Sequence, residues 1–126
     1  MTTALGLTPE EMDTYRAAAR RRQEQERREL AQREQRAWEL ARRAAAMLRE
    51  QFGATRVRVF GSLVKKGCFT PWSDVDVAAW GIRPEDTFRA IGAVMDVDAE
   101  IDVNLVDVNT CRPEFLVSIE REGIEL

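Results

Sequence analysis

The sequence predicts an α/β domain preceded by a long charged helix. Strong helix formers run without glycine or proline from Glu10 to Phe52. Beyond that point, short segments rich in valine and isoleucine alternate with segments of helical periodicity. The predicted order is helix, strand, helix, strand, helix, strand and helix. This alternation favours a small mixed sheet with helices on one side.

The first helix is predicted to begin at Pro9 and to end at Phe52. Thr8 is the expected N-cap, Pro9 suits the first helical position, and Glu11 completes a capping box. Gly53 is a natural stop signal. Such a helix has about 43 residues and is roughly 65 Å long, far longer than a domain of this size can cover.

The first half of this helix is polar. Within residues 20–36, Leu30 is the only large apolar residue among arginines and glutamates. This stretch is either solvated and stabilised by pairs such as Glu24 with Arg28, or it lies against a partner protein or a second copy of the chain. Nucleic-acid binding by its arginines is disfavoured, because the glutamates offset their charge. We therefore assign residues 1–36 to a charged helical arm.

The second half carries an apolar stripe that predicts docking onto a compact domain. The members of the stripe recur at spacings of three and four residues: Trp38, Ala41, Ala45, Leu48 and Phe52. We therefore predict a compact domain over residues 37–126.

Three strands, a short helical turn and two further helices are predicted after Gly53. The strands are expected at Ala54–Phe60, Asp74–Ala79 and Glu100–Val106, and the short turn at Gly61-Ser62. Pro84 opens a helix that ends near Val94, and Pro113 opens a last helix that ends at Glu122. The expected buried residues of these two helices are, in turn, Phe88, Ile91 and Met95, and Phe115, Leu116 and Ile119.

Charge is divided unevenly along the chain. Residues 1–53 carry 11 arginines and 9 acidic residues, a net charge of +2, whereas residues 54–126 carry 8 basic and 13 acidic residues, a net charge of −5. A broadly basic nucleic-acid surface is therefore not indicated for the C-terminal part. Because the chain has no histidine, no imidazole base is available. Any chemistry must use carboxylates and metal.

The chain carries no sequence signal for export or membrane insertion. No apolar run approaches the length of a membrane span, and the N-terminus lacks the apolar core of a signal peptide. Cys68 and Cys111 form no metal or redox motif, which favours free thiols in a reducing compartment. We therefore expect a cytoplasmic protein.

The residues most suited to chemistry lie within residues 61–78. Asp74 and Asp76 are two residues apart on a predicted strand, so both face one side while the intervening valines point into the core. Two adjacent carboxylates repel each other unless a cation lies between them. Oxygen ligands with no nearby thiol or imidazole suit Mg²⁺.

Gly61 and Ser62 form the turn that precedes this strand. Gly61 lets backbone approach a ligand closely, and Ser62 offers a hydroxyl beside exposed backbone N–H groups. This arrangement is suited to holding phosphate oxygens. A phosphate-binding turn followed by a metal-binding acid pair indicates that the chain handles a nucleoside triphosphate.

Gly-Ser, a spacer and then Ser-Asp-x-Asp on a strand resemble the signature of the polymerase-β-like nucleotidyltransferases. From Leu48 to the C-terminus, the chain is most similar to the minimal nucleotidyltransferase (MNT) branch, whose members are often antitoxins of HEPN-domain toxins. The resemblance implies a polymerase-β-like fold and transfer of AMP from ATP to a tyrosine hydroxyl of a HEPN partner. It also implies two Mg²⁺ ions held by Asp74, Asp76 and a third carboxylate. Asp102 on the next strand matches that position, with Glu100 and Asp107 as rival candidates.

Further residues are candidates for contact with the nucleotide. Lys65 and Lys66 would neutralise phosphate charge, although a solvated surface position suits each equally well. Ser73 is included as a nucleotide-binding candidate, but capping of the turn into the second strand is its expected role. Trp72 is expected to cover the core, with stacking on a base as the alternative.

Two departures from the family pattern leave alternatives open. Leu63 and Val64 stand where members often carry an arginine, and the following loop is more apolar than usual. One alternative is an antitoxin that neutralises its partner by binding alone, with the charged arm as its docking surface. Another is nucleotide transfer to a small molecule or RNA, which the absence of a separate acceptor-binding domain disfavours.

Overall fold

A computed structural model describes residues 6–126 of the chain, which divides into two compact units, Met1–Arg33 and Glu34–Leu126. Residues 1–5 of the predicted arm lie outside the described residues. The helices and strands are α1 (Pro9–Phe52), β1 (Arg56–Phe60), β2 (Val75–Trp80), α2 (Thr87–Met95), β3 (Val103–Asp107), α3 (Pro113–Glu122) and β4 (Ile124–Glu125). Short 3₁₀ turns lie at Gly61–Leu63, Pro84–Asp86 and Val108–Thr110. The predicted mixed α/β class and the long N-terminal helix are confirmed.

The N-terminus of α1 has the predicted capping box. The Thr8 N–H donates to Glu11 Oε2, and the Glu11 N–H donates to Thr8 Oγ1, both at 3.2 Å. The predicted i,i+4 pair is also present, with 3.8 Å between Arg28 and Glu24. The helix therefore begins and ends where the sequence predicts, and it contains 44 residues. Within residues 6–126, no helix has an apolar stretch long enough to cross a bilayer.

The second unit is built on a four-stranded mixed sheet in the order β3-β2-β1-β4. β1 pairs antiparallel with β2 and with β4, and β3 pairs parallel with β2. The predicted strands exist, although β1 and β3 are shorter at their starts than expected. The sequence prediction missed β4, a two-residue strand extended by a hydrogen bond from the Leu126 N–H to the Val57 carbonyl at 3.0 Å.

One face of the sheet and two helices form the core. The sheet contributes fully buried valines, and α1 contributes a buried stripe of alanine and leucine: Val57, Val59, Val75, Val77, Val103, Ala37, Leu40, Ala41, Ala44 and Leu48. Burial of these apolar side chains removes them from water and provides dispersion contacts within the core.

The prediction for the buried side of α2 was wrong. Phe88 is 86% exposed and Met95 is 55% exposed, whereas Thr87, Ala90 and Val94 are buried. The hydroxyl of Thr87 also donates to the buried Asp107 carboxylate at 2.7 Å. The helix therefore packs through its smaller side chains, which share a face at i, i+3 and i+7.

The expectation of helices on one side of the sheet was also wrong, because α3 lies on the face opposite the core. Arg56 of β1 binds Glu120 of α3 at 2.5 Å. Farther along β1, the Phe60 ring packs edge-to-face on Phe115, with 5.6 Å between centroids. α3 thus runs along β1, and the acid-bearing part of β2 lies beside it.

Candidate functional site

Asp76 of β2 and Asp74, the residue just before β2, lie together on the face of the sheet that points away from the core. Val75 and Val77 are fully buried on the other face, as strand alternation requires. The two carboxylates are partly exposed. Placement of the acid pair on one face therefore agrees with the expectation from their spacing.

Asn104 lies between the two carboxylates. It is the register partner of Asp76 in the parallel β2–β3 pair. Its amide Nδ2 is 3.4 Å from Asp74 Oδ2 and 3.4 Å from Asp76 Oδ1, so one neutral group donates a long hydrogen bond to each acid. Sequence reasoning missed this residue. Strand alternation from Asp102 was the available signal, because it places Asn104 on the same face.

The acid pair has no cationic partner in the part of the chain that the structure describes. Among residues 6–126, no lysine or arginine forms an ion pair with Asp74 or Asp76. Burial raises the pKa of Asp76, as does the negative charge of Asp74, while the Asn104 hydrogen bond opposes the shift. An external cation would relieve this unfavourable electrostatic arrangement.

Gly61 packs against Asp76. Its φ is +79°, in the left-handed region that glycine adopts without steric cost. A Cβ at this position would lie 2.6 Å from Asp76 Oδ2, closer than such atoms approach. The turn after β1 therefore brings bare backbone directly against one carboxylate, and this requires glycine.

The other predicted phosphate-binding residues have different surroundings. Ser62 is half-buried in the 3₁₀ turn after β1, and Lys66 is exposed. Lys65 is also exposed, and its ammonium group is 3.5 Å from the Glu122 carboxylate of α3. Ser73 Oγ accepts a hydrogen bond from the Thr70 N–H at 2.9 Å, in agreement with its expected turn-capping role.

Asp102 lies just before β3, and its side chain is exposed. Its backbone carbonyl accepts from the Val75 N–H at 2.9 Å, so its main chain is next to the acid pair. However, no group of three acidic, thiol or imidazole side chains within the described residues is placed to hold a metal ion. The structure groups Asp74 and Asp76 with Asn104, and the assignment of Asp102 as a third ligand stays a prediction.

A cavity of about 520 Å³ opens beside Asp76. The sheet contributes Phe60, Asp76 and Val106, the turn after β1 contributes Gly61 and Lys65, and α3 contributes Phe115, Ser118, Ile119 and Glu122. Its size lies within the range of small-molecule sites. Charged side chains and the aromatic rings of Phe60 and Phe115 therefore line the same cavity.

The expectation that Trp72 covers the core was wrong. Its side chain is 85% exposed, and Phe69, from the same loop, is buried instead. The Trp72 N–H donates to Thr70 Oγ1 at 3.2 Å, which fixes the backbone of the turn but leaves the ring in solvent. A loop of this kind can bury one aromatic ring, and its sequence does not indicate which.

Comparisons with known proteins add no family assignment. The chain matches no model of a protein family, and no curated protein is similar to it in sequence. The resemblance to nucleotidyltransferases therefore stays a prediction based on Gly61, Ser62, Asp74 and Asp76.

Proposed function

We propose that this chain is a Mg²⁺-dependent nucleotidyltransferase with a polymerase-β-like fold, which transfers AMP from ATP to a hydroxyl of a partner protein. One observation carries the proposal. Asp74 and Asp76 share one face of the sheet without a cationic partner in the described chain, and Asp76 borders a cavity of about 520 Å³, a volume within the range of small-molecule sites.

The residues present fit a hard divalent cation. Carboxylate and amide oxygens are the ligands that Mg²⁺ accepts, usually together with water and substrate phosphates. The Asn104 amide reaches both acids, and rotation of this group by half a turn would present its oxygen instead of its nitrogen. When bound, the cation would neutralise phosphate charge and polarise the phosphorus–oxygen bonds.

The chain's own residues then have separate tasks. Asp74, Asp76 and Asn104 would hold the cation, and Gly61, which has no side chain, lets the backbone of the turn after β1 pack against the Asp76 carboxylate. Lys65 lines the same cavity and offsets phosphate charge. In the transfer, the acceptor hydroxyl oxygen bonds to the α-phosphorus, the bond to the bridging oxygen breaks, pyrophosphate leaves, and the hydroxyl proton passes to solvent.

The acceptor comes from a partner, for which we propose a HEPN-type toxin neutralised by this modification. Support comes from the first unit, whose helical residues 20–29 are all exposed and rich in arginine and glutamate. A charged helix with so little apolar surface of its own is suited to docking through polar contacts. Self-association through this helix is the other role that we predict for it.

A second candidate function is neutralisation by binding alone, and Asn104 favours it. The group that bridges the acid pair is a neutral amide, so the described site carries two negative charges where the resemblance to nucleotidyltransferases implies three. In this case ATP and Mg²⁺ would bind without transfer, and the carboxylates would be dispensable for antitoxin action.

Incubation with α-labelled ATP, Mg²⁺ and a purified HEPN-type partner separates the two candidates. Transfer predicts label on the partner with the wild-type chain and none with Asp76→Asn. Asp98→Asn is the matched control, because it removes a carboxylate remote in sequence from the acid pair and should leave labelling unchanged. A tight complex without label would instead support neutralisation by binding.

A further inference from the structure

The lining of the cavity beside Asp76 has a polar and an apolar part. The polar part comes from Gly61, Lys65, Asp76 and Glu122, and Lys65 is 3.5 Å from the Glu122 carboxylate. The apolar part comes from Phe60, Val106, Phe115 and Ile119, and Ser118 adds a hydroxyl. A molecule that carries both a phosphate chain and a planar ring matches this combination.

The cavity-facing side of α3 is one continuous stripe. Phe115, Ser118, Ile119 and Glu122 follow the spacing i, i+3, i+4 and i+7, so they share one helix face. Ile119 is fully buried, whereas Phe115 remains 42% exposed although it forms a T-shaped pair with Phe60. An aromatic ring that is held in place but still accessible is suited to stacking.

Phe60 lies next to both Asp76 and Phe115. It is the register partner of Asp76 across β1 and β2, and it forms a T-shaped pair with Phe115 at 5.6 Å between centroids. The aromatic pair therefore begins next to Asp76 and extends to α3. A nucleotide held by its phosphates at Asp76 would have this aromatic pair beside it.

We propose that this cavity is the base-binding pocket of the nucleotide, that Phe115 stacks on a purine ring, and that purine nucleotides are therefore selected over pyrimidine nucleotides. The inference rests on the proposed function. A bicyclic base covers more of the wall formed by Phe115, Val106 and Ile119 than a single ring does, so it gains more from stacking and apolar burial. Ser118 supplies a hydroxyl for the edge of the ring.

Calorimetric titration of the full chain in Mg²⁺ tests the proposal with ATP, CTP and inorganic tripolyphosphate, which has no base. We expect the wild type to bind ATP more tightly than CTP or tripolyphosphate. Phe115→Ala should weaken ATP binding by about tenfold and leave tripolyphosphate binding unchanged. Val117→Ala is the matched control, because Val117 is 59% exposed on α3 and does not line the cavity.

Because Phe115→Ala also removes packing against Phe60, a second variant is needed to separate weaker ATP binding from lower stability. Ser118→Leu keeps Phe115 and fills the cavity beside it, so it should weaken ATP binding without lowering the melting temperature.

Equal affinities for ATP and tripolyphosphate, or unchanged ATP binding in both variants, would overturn the base-binding pocket while leaving the proposed function in place. Reduced labelling of the partner with unchanged ATP affinity would also overturn it, because the cavity would then hold the acceptor. If neither ATP nor tripolyphosphate binds, the proposed function fails and this inference fails with it.

Discussion

Gly61 and Asp76 are packed so closely that any side chain at position 61 would meet the carboxylate. A Cβ would lie 2.6 Å from Asp76 Oδ2, and the backbone at Gly61 has a φ of +79°. The turn after β1 thus fixes one wall of the space in which the Asp76 carboxylate lies. Position 61 affects the site through this contact and affects stability through its backbone conformation.

Replacement of Gly61 separates these two effects when it is compared with Gly67. Both glycines have positive φ, at +79° and +76°, but a Cβ at Gly67 would meet nothing within 4 Å. Gly61→Ala and Gly67→Ala should each destabilise the fold by about 1–2 kcal/mol from the left-handed backbone alone. Only Gly61→Ala should also displace Asp76 and abolish Mg²⁺-dependent ATP binding. Urea unfolding and calorimetry measure the two effects, and intact ATP binding in Gly61→Ala would contradict the role of the contact.

Asp76→Asn should not destabilise the metal-free protein. Burial raises the pKa of Asp76, so ionisation of this carboxyl costs more free energy in the folded state than in the unfolded chain. A neutral amide of the same shape removes this cost and the repulsion from Asp74. We expect a melting temperature in EDTA equal to or higher than that of the wild type, together with loss of the increase that Mg²⁺ and ATP produce. A large drop in EDTA would show that Asp76 is a structural residue.

The pKa of Asp98 is shifted in the opposite direction from that of Asp76, and this makes the stability of the fold depend on pH. Hydrogen bonds from the Ile101 N–H and from Arg36, and then the charge of Arg36, lower its pKa from 3.8. Its contribution to stability is therefore complete above the unfolded-state pKa and is lost as the pH falls below 3.8 through the folded-state pKa. Asp98→Asn should lower the melting temperature at about pH 6, and the difference from the wild type should shrink towards about pH 3. A difference that stays constant with pH would contradict the assignment.

Asn104 and Asp102 are the two candidates for the third ligand of the cation. Both side chains are exposed, but only Asn104 forms a hydrogen bond to each carboxylate, at 3.4 Å, within the described residues. If Asn104 is the ligand, Asn104→Asp should raise Mn²⁺ affinity by about tenfold because it adds a third negative charge, and it should lower metal-free stability by repulsion. Asp102→Asn should change neither quantity. Loss of Mn²⁺ binding in Asp102→Asn would restore Asp102 as the third ligand.

The elements that the sequence predicted well are those with local signals. The extent of α1 follows from Thr8, Pro9 and Gly53, and the placement of the acids on one face of β2 follows from the two-residue period of a strand. These features depend on neighbours in the chain. They could therefore be predicted without knowledge of tertiary contacts.

The features that were missed depend on tertiary pairing. β4 has only two residues and exists because it pairs with β1, and Asn104 joins the acids because of the β2–β3 register. The buried face of α2 was mistaken because apolar residues occur on both sides of this helix. In each case the local sequence allows more than one structure, and contacts with a segment distant in the chain determine which one forms.

The most direct measurement is the binding of Mn²⁺, a paramagnetic substitute for Mg²⁺, followed by electron paramagnetic resonance in the presence of ATP. The wild-type chain should remove free Mn²⁺ from solution in a saturable manner, beyond what ATP alone binds. Asp74→Asn and Asp76→Asn should each return the signal to that of ATP alone, and Asp98→Asn should behave as the wild type. Equal Mn²⁺ binding by the wild type and Asp76→Asn would contradict a cation site at the acid pair, and with it the proposed transfer chemistry.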